Sequence, residues 1–181
     1  MKNIAACALF AASTALFGAK LHAQALAPTA VAVLPASVLA GQAKMTVWGF
    51  DVYQAALWVE PGFVGTAYAQ GSFALELTYL RDFTAADIAQ RSLAEMRRQA
   101  SLAPQDVQRW EGRLRALLPD VKAGDRITGV HQPGRGAAFW GNGRLLGELA
   151  DPEFARLFFG IWLAPQTSEP ALRRALLGAA P

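Results

Sequence analysis

Stretches with a strand pattern and stretches with a helix pattern occur in separate blocks along this chain, and this order constrains the fold more than any other feature. Two stretches rich in β-branched and aromatic residues, 31–62 and 72–83, come first. Two helical stretches, a glycine-rich stretch with strand character and two more helical stretches follow. Segregation of this kind is typical of helices laid on one face of an antiparallel sheet. The sequence therefore predicts a single α+β domain.

The period of two along each strand predicts which residues face the core. In "TVWGFDVYQAALWV", residues 46–59, we predict that Trp48, Phe50 and Val52 lie on the core side. Residues 72–83 repeat the pattern and are predicted to form a strand that carries Glu76 on one face and a row of large apolar residues on the other: Phe73, Leu75, Leu77 and Tyr79.

The first pair of helices is bounded by recognisable cap and breaker residues. Thr84 followed by Asp87 is a capping pair, so a helix is predicted over residues 84–99. A second helix begins at Pro104, since proline suits the first helical turn, and ends before Pro119.

The later helical stretch is unusually apolar. Asp151 as cap and Pro152 as first residue begin a helix with the stripe Phe154, Leu157, Phe158, Ile161 and Trp162. Phe159 and Leu163 lie off that stripe, so apolar residues occupy more than half of the helix circumference. Such a helix is sandwiched either between the sheet and other helices or between the sheet and an apolar ligand. A last helix is predicted over residues 168–178.

The first residues have the pattern of a secretory signal. Lys2 precedes an uncharged apolar run over residues 4–19, and small residues surround a cleavage point near Ala25. The alternative is a membrane anchor, but the run is shorter than the roughly 20 residues that a bilayer core requires. We therefore predict a signal peptide at 1–25, a domain at 26–181, export to a periplasm and no membrane span after cleavage.

Removal of the leader also limits the chemistry of the chain. Of 17 basic residues two lie in the leader and face no acid there, so 14 acidic residues leave a net charge of about +1, which disfavours nucleic acid as a partner. The only cysteine, Cys7, lies in the leader, and His131 is the only histidine after it. We expect no metal site, no Ser-His-Asp triad and, without a glycine-rich phosphate loop, no cofactor.

Four remaining features each have a structural and a functional interpretation. His131 is expected to be a solvent-facing or capped residue rather than a catalytic one. Arg81 and Asp82 form either an ion pair or a cap-like contact at the junction of strand and helix, or else a site for a carboxylate or carbonyl. Arginines on two helices form either a solvated face or an anion site: Arg97, Arg98, Arg109, Arg113 and Arg115. Five tryptophans form either part of the core or the wall of a ligand pocket: Trp48, Trp58, Trp110, Trp140 and Trp162.

Five blocks, in order, resemble the bacterial chalcone isomerase-like family: "GFDVYQAALWV", "ALELTYLRDF", "RWEGRLRALLPDVKAGDRITG", "WGNGRLLGELADPEFARLFFGIWL" and "TSEPALRRALLG". The resemblance covers nearly all of residues 41–178. It implies an open-faced sandwich with a ligand cleft between sheet and helices. Relatives of this fold include plant enzymes that close a chalcone to a flavanone and fatty-acid binders without catalysis.

The catalytic set that the resemblance implies is incomplete in this chain. The plant enzymes use an early-strand arginine with a threonine, a tyrosine and an asparagine, whereas here no arginine precedes Arg81. Lys44 is the one early cation after the leader, and it lacks the two-pronged bonding of a guanidinium. Thr46 corresponds to the family threonine, and Thr84 and Arg91 fall where the tyrosine and asparagine are expected.

We therefore expect a protein that holds a small apolar or amphipathic molecule, such as a fatty acid or a phenolic, without turning it over. Lys44, Thr46, Tyr79 and Arg81 are predicted to line the polar end of the cleft. The alternative is an isomerase acting on a chalcone-like enone, with Lys44 or Arg81 as electrophile and Tyr53 or Tyr79 as acid. A third interpretation is an interaction partner at a membrane, for which the sequence shows no amphipathic signature.

Overall fold

The computed structural model describes residues 29–178. The helices are α1 (Thr29–Val33), α2 (Ala85–Met96), α3 (Pro104–Leu117), α4 (Pro152–Leu163) and α5 (Pro170–Leu177), with a 3-10 helix at Gly65–Gln70. The strands are β1 (Val38–Val47), β2 (Phe50–Val59), β3 (Phe73–Tyr79), β4 (Arg126–Gln132), β5 (Gly136–Gly141) and β6 (Arg144–Leu149). The predicted leader, 1–25, lies outside the described residues, so the division into leader and domain stays a prediction.

The six strands form one antiparallel sheet whose strand order, β1 to β6, equals the chain order. Two-residue turns at residues 48–49 and 142–143 join β1 to β2 and β5 to β6. The link from β3 to β4 is the longest within the sheet, because it contains α2 and α3. The α+β prediction with an antiparallel sheet is confirmed.

Helices α4 and α5 pack on one face of this sheet, α2 lies beside α4 and adds to the same core, and α3 packs beside α2 and reaches β6. The predicted capping pair is present, because Thr84 accepts from the Asp87 amide while Asp87 accepts from the Thr84 amide. The helix ends at Met96, three residues earlier than predicted. The Asp151 carboxylate accepts from the amides of Glu153 and Phe154 at 3.1 and 3.0 Å, so α4 begins where the sequence predicts.

Aromatic rings fill the space between α4 and the sheet. The ring of Phe159 lies 5.0 Å from that of Phe73 on β3, and the ring of Phe158 lies 5.3 Å from that of Phe139 on β5. Phe73, Phe139 and Phe159 are fully buried. The sheet below and the helices α2 and α5 beside it therefore enclose α4, and close-packed side chains fill the centre of the interface.

The predicted core face of β2 is wrong at its beginning. Trp48 and Phe50 are 94% and 59% exposed, whereas Ala55 and Leu57 are fully buried. Trp48 lies in the turn itself, and the register shifts between Met45 and Thr46, so the period of two does not run unbroken through this hairpin. From Tyr53 onward, beyond this register shift, the core side of β2 is therefore the odd-numbered one.

The second face of the sheet carries a small cluster of its own. Helix α1 lies there against β3 and β4, where a strand had been predicted from residue 31 onward, and buries Ala30 against Ala74 and Val130. The buried carboxylate of Glu76 holds α1 in place, since it accepts from the Thr29 amide at 3.0 Å. Within residues 29–178, no helix combines the length and the apolar composition that crossing a bilayer requires.

Candidate functional site

Lys44 and Thr46 lie together, on the face of the hairpin that the large helices leave open. Each alternates along β1 with residues of the covered side, such as Met45. Both side chains bond the Asp51 carboxylate, Lys44 Nζ at 2.7 Å and Thr46 Oγ1 at 2.9 Å. These two bonds lower the pKa of the Asp51 carboxyl. The cation predicted for a ligand is thus already paired at the surface.

Arg81 lies apart from this pair, two residues beyond the end of β3. Its guanidinium lies 4.8 Å from the ring centroid of Phe50. The expected ion pair with Asp82 is not formed, because the Asp82 carboxylate accepts from the Ala123 amide at 3.0 Å and approaches Lys122 Nζ at 3.6 Å. Arg81 therefore belongs to the surface of the β1–β2 hairpin.

Tyr79 lies apart from these three, on the covered face between sheet and helices. It is 5% exposed, and its ring stands edge-on to that of Tyr53, its partner across β2 and β3, at 6.3 Å. Burial, and then the neighbouring Tyr53, raises the pKa of its hydroxyl. The structure thus brings Lys44 and Thr46 together but does not bring either of them to Tyr79.

The Tyr79 hydroxyl has no hydrogen-bond partner in the part of the chain that the structure describes. The polar atoms that are both sealed from solvent and unpaired are Trp58 Nε1 and Gln99 Oε1, and the Tyr79 hydroxyl is not one of them. Its oxygen therefore keeps access to solvent although its ring is buried. A hydroxyl that reaches solvent and has no protein partner can exchange its hydrogen bond to water for one to a ligand atom.

Tyr53 and Trp162 complete this position, and neither was among the four residues predicted for the polar end of the cleft. The sequence suggests Tyr53 only as an acid in the isomerase alternative, and Trp162 as part of the apolar stripe of α4 and as one of five tryptophans. Trp162 Nε1 donates to the Tyr53 hydroxyl at 3.0 Å, which fixes the indole of α4 on the sheet. Burial is the main cause that raises the pKa of Tyr53 to about 12. The pairing of two strand tyrosines was readable from the alternation in both strands, once β2 is placed in the right register.

Charged residues of α2 border the tyrosines. Glu95 is only 8% exposed and pairs with Arg91 at 2.8 Å and with Arg98 at 3.7 Å. Arg91 and Glu95 both act electrostatically on Tyr53. The site therefore consists of two neutral hydroxyls in an apolar wall with a charged rim. Hydroxyls held neutral at physiological pH donate hydrogen bonds to a carbonyl or carboxylate, and they are poor bases.

His131 is buried, where a solvent-facing or capped residue was expected. It is 3% exposed, stacks on Phe73 at 4.9 Å, and its Nδ1 is 2.8 Å from the Gly71 carbonyl, to which it donates. Burial lowers its pKa. The period of two places it beside Phe73 on the covered face, and the backbone carbonyl satisfies its polar edge.

The tryptophans do not share a pocket. Trp110 and Trp162 are buried under the helices, while Trp58 and Trp140 pack against the α1 cluster on the other face. Trp48 is almost fully exposed. Of the five, Trp162 alone bonds to a residue of the tyrosine site, so the ligand-wall interpretation holds for one indole at most.

The helix arginines behave as a solvated face. Arg109 pairs with Asp106 at 3.0 Å and Asp151 at 2.9 Å, and Arg115 lies 3.8 Å from Glu111. A shallow depression of about 280 Å³ between α3 and β6 is lined by small and aliphatic residues and by two exposed charged side chains of opposite sign, Arg113 and Glu148. Among the described residues, no three His, Cys, Asp or Glu side chains are grouped so that they could hold a metal ion.

Comparison with known proteins agrees with this architecture. A family described as chalcone isomerase-like matches residues 20–178. An uncharacterized protein of Haemophilus influenzae is 31% identical over 141 residues, which cover 76% of this chain and 66% of that protein. The crystal structure of a fatty-acid binding protein of Arabidopsis thaliana superposes with a TM-score of 0.62 at 11% identity, over 78% of this chain and 87% of that one. That likeness shows the fold.

Proposed function

The chain belongs to the chalcone isomerase-like family, and we propose that it binds a small apolar or amphipathic molecule, such as a fatty acid or a phenolic, without transforming it. The observation that carries the proposal is the Tyr79 hydroxyl, which lies in an apolar wall with access to solvent and without a partner in residues 29–178. The fatty-acid binding protein of Arabidopsis, which has the same fold, supports the choice of ligand class.

The Tyr79 hydroxyl would bind the polar end of such a ligand. Its raised pKa keeps it protonated, so it donates a hydrogen bond to a carboxylate, a carbonyl or a phenol oxygen. Tyr53 is held by Trp162 and forms the wall beside it. Arg91, on the rim, pairs with Glu95 and places positive charge near Tyr53.

Binding, rather than isomerisation, is the better proposal because the polar groups of an isomerase do not meet. The Lys44 ammonium is engaged by Asp51 on the open face, and the Arg81 guanidinium lies over Phe50. Neither cation reaches the two tyrosines in a way that would polarise a bound enone between them.

The apolar part of the ligand would enter at the end of the sheet. The centre is filled by the rings under α4, and the site of a Cβ on Gly129 is only 3.0 Å from Phe159. The partly buried Phe83, whose ring lies 5.9 Å from that of Tyr79, contributes to the remaining apolar border. The proposal also includes export, for which the predicted leader is the only support.

The test begins with the protein from its own host. The mature chain is purified, its intact mass is measured, and any small molecule released on denaturation is identified by mass spectrometry. A mass that corresponds to cleavage near Ala25 supports export. The stripped protein is then titrated with dodecanoate and with cinnamate, and the change in tryptophan emission is followed, since Trp162 touches Tyr53.

Two tyrosine variants separate ligand contact from stability. Tyr79→Phe removes a hydroxyl without a partner and should weaken binding about three- to tenfold, which is the value of one hydrogen bond. Tyr68→Phe is the matched control, because the Tyr68 hydroxyl already donates to the Arg156 carbonyl at 2.9 Å and its loss should leave affinity unchanged. Equal affinities for Tyr79→Phe and wild type would contradict the assignment of Tyr79 to the site. Failure of every probe to bind would contradict the proposed function.

A further inference from the structure

The tip of the β1–β2 hairpin is the most exposed apolar part of the described chain. We define the hairpin tip as Trp48, Gly49 and Phe50 with the adjacent Leu80 and Arg81. Trp48 is 94% exposed, Phe50 59% and Leu80 39%. The Leu80 amide donates to the Val52 carbonyl at 2.9 Å, and Arg81 lies over Phe50, so Leu80 and Arg81 lie beside β2 next to the turn that carries Trp48.

Turn geometry does not explain a tryptophan at this position. Trp48 and Gly49 have φ of 49° and 81°, the paired positive values of a type I′ turn. The turn between β5 and β6 has nearly the same values, 48° and 83°, and there the residues are Asn142 and Gly143, the pair that this turn favours. A bulky residue with positive φ is strained, and such strain is concentrated at functional positions.

The charges around the tip leave one cation unmatched. Lys44 pairs with Asp51, and Asp82 with Lys122. Arg81 makes no ion pair with any residue in the range 29–178, and its guanidinium lies over the Phe50 ring. The tip therefore presents two aromatic rings, one aliphatic side chain and one free positive charge. Tryptophan and arginine with an apolar neighbour are the residues that settle at the boundary between lipid headgroups and acyl chains.

The shape and the area of the tip favour a lipid surface over a protein partner. The exposed parts of Trp48, Phe50 and Leu80 amount to roughly 400 Å², which is about half of what one partner contributes to an ordinary protein interface. The patch is the end of a two-residue turn rather than a flat face. A fluid interface accommodates such a protruding end, and a rigid partner would need a matching pocket.

We propose that the hairpin tip inserts into the interface of a bilayer that contains anionic phospholipid, with Trp48 and Phe50 at the level of the headgroups and Arg81 on a lipid phosphate. This inference goes beyond the proposed function and does not depend on it, since vesicle binding is measured without a ligand. The two proposals meet structurally, because β2 and β3 lead from the tip to Tyr53 and Tyr79. A lipid-derived molecule would then enter the site from the membrane.

Co-sedimentation of the mature protein with vesicles tests the proposal. The vesicles contain phosphatidylcholine with about one third phosphatidylglycerol, so that the surface is negative. Wild type should bind, and Trp48→Ser should lower the partition coefficient by about tenfold or more, the effect of removing one large apolar side chain from the interface. Arg81→Gln should lower it less, and only while phosphatidylglycerol is present.

Two further variants keep the result interpretable. Trp48→Asn gives the turn the residue that it favours, so the protein should remain at least as heat-stable as wild type and lose vesicle binding equally. Val38→Ser, at the other end of β1, is the matched control, since Val38 is 61% exposed and lies far from the tip. Its partition coefficient should equal that of wild type.

Three outcomes would overturn the proposal. They are a wild type that does not sediment with vesicles, a Trp48→Asn protein that binds as wild type does, and a Val38→Ser protein that loses binding to the same extent. Sedimentation velocity without vesicles tests the alternative that the tip binds a second copy of the chain. Self-association that Trp48→Asn abolishes would make the tip a contact between copies of the chain instead.

Discussion

Replacement of Gly160 by alanine should destabilise the protein although alanine favours helices. Gly160 lies in α4 where the helix passes closest to its neighbours. A Cβ at this position would overlap with Gln99 Oε1 and would lie 2.7 Å from the Tyr68 hydroxyl. Both side chains hold backbone carbonyls of α4, Gln99 Nε2 donating to Leu157 at 2.8 Å and Tyr68 to Arg156 at 2.9 Å. The methyl group cannot be accommodated unless at least one of these bonds breaks.

The magnitude follows from the groups that must move. Each lost hydrogen bond costs about 0.5–1.5 kcal/mol, and a partly buried group left unpaired costs about 1–3 kcal/mol. Alanine restores about 1 kcal/mol of helix propensity over glycine. For one broken bond, the net expectation for Gly160→Ala is a loss of about 0.5–3.5 kcal/mol in the free energy of unfolding, or roughly 1–14 °C in Tm for a domain of this size.

Urea denaturation of a matched pair measures the effect. Gly112, in the exposed middle of α3, has no atom within 4 Å of the position that a Cβ would occupy, so Gly112→Ala should stabilise the protein by about 1 kcal/mol. A double-mutant cycle of Gly160→Ala with Gln99→Ala should recover part of the loss, because the clash is then relieved. A Gly160→Ala protein as stable as Gly112→Ala, or a cycle without coupling, would refute the close packing of α4 on Gln99.

Two other predictions concern buried polar groups. Burial lowers the pKa of His131, so the unfolded chain binds the proton more strongly than the folded one. The contribution of His131 to the free energy of unfolding should be complete above about pH 6.5 and fall as the pH drops toward the folded-state pKa. In urea denaturation at a series of pH values, His131→Phe should reduce this dependence of the free energy of unfolding on pH. An unchanged slope in the variant would assign the pH dependence to other groups. Glu76→Ala should cost about 3 kcal/mol or more, since the carboxylate accepts from the Thr29 amide and from Thr128 Oγ1 at 2.9 Å, and hydrogen exchange in α1 should rise. Glu76→Gln, which keeps an acceptor, should lose less, and equal losses in both variants would argue against an acceptor role.

The sequence predicts the class of this fold because its long elements are strongly periodic. The stripe of α4 and the capping pair at Thr84 and Asp87 act within one or two turns, so local sequence determines them. The strand faces around Trp48 and Phe50 depend instead on where a turn of two residues falls and on a register shift next to it. Period-two reasoning carries no information on either, and therefore it assigned exposed aromatics to the core.

The candidate site was predictable only in part, for a related reason. Tyr79 lies on a strand without irregularity and was placed correctly on the apolar face. Lys44 and Thr46 were chosen by residue type, but their partner, Asp51, is brought to them by the hairpin and engages both. Whether Lys44 forms an ion pair depends on the folded hairpin. The linear sequence does not distinguish a lysine that is ion-paired from one that is available to bind a ligand.

The distribution of packing along the sheet explains why the two proposals fall at the same end. Under α4 the rings of Phe73 and Phe159 are fully buried, and insertion of a ligand there would have to displace close-packed side chains. At the end where β2 begins and β3 ends, packing is incomplete: Tyr79 has an unpaired hydroxyl among the described residues, and the aromatic residues of the tip lie in solvent. The Tyr79 hydroxyl and the exposed apolar side chains of the tip thus lie a few residues apart on the same two strands. This arrangement suits an amphipathic molecule that moves from a lipid interface to the tyrosine site.

Because the hydroxyl and the tip are separate groups, Tyr79→Phe should leave vesicle binding intact and Trp48→Asn should leave the affinity for a soluble probe intact. Loss of both activities in either variant would mean that this end of the sheet acts as one structural unit rather than as an entrance and a site.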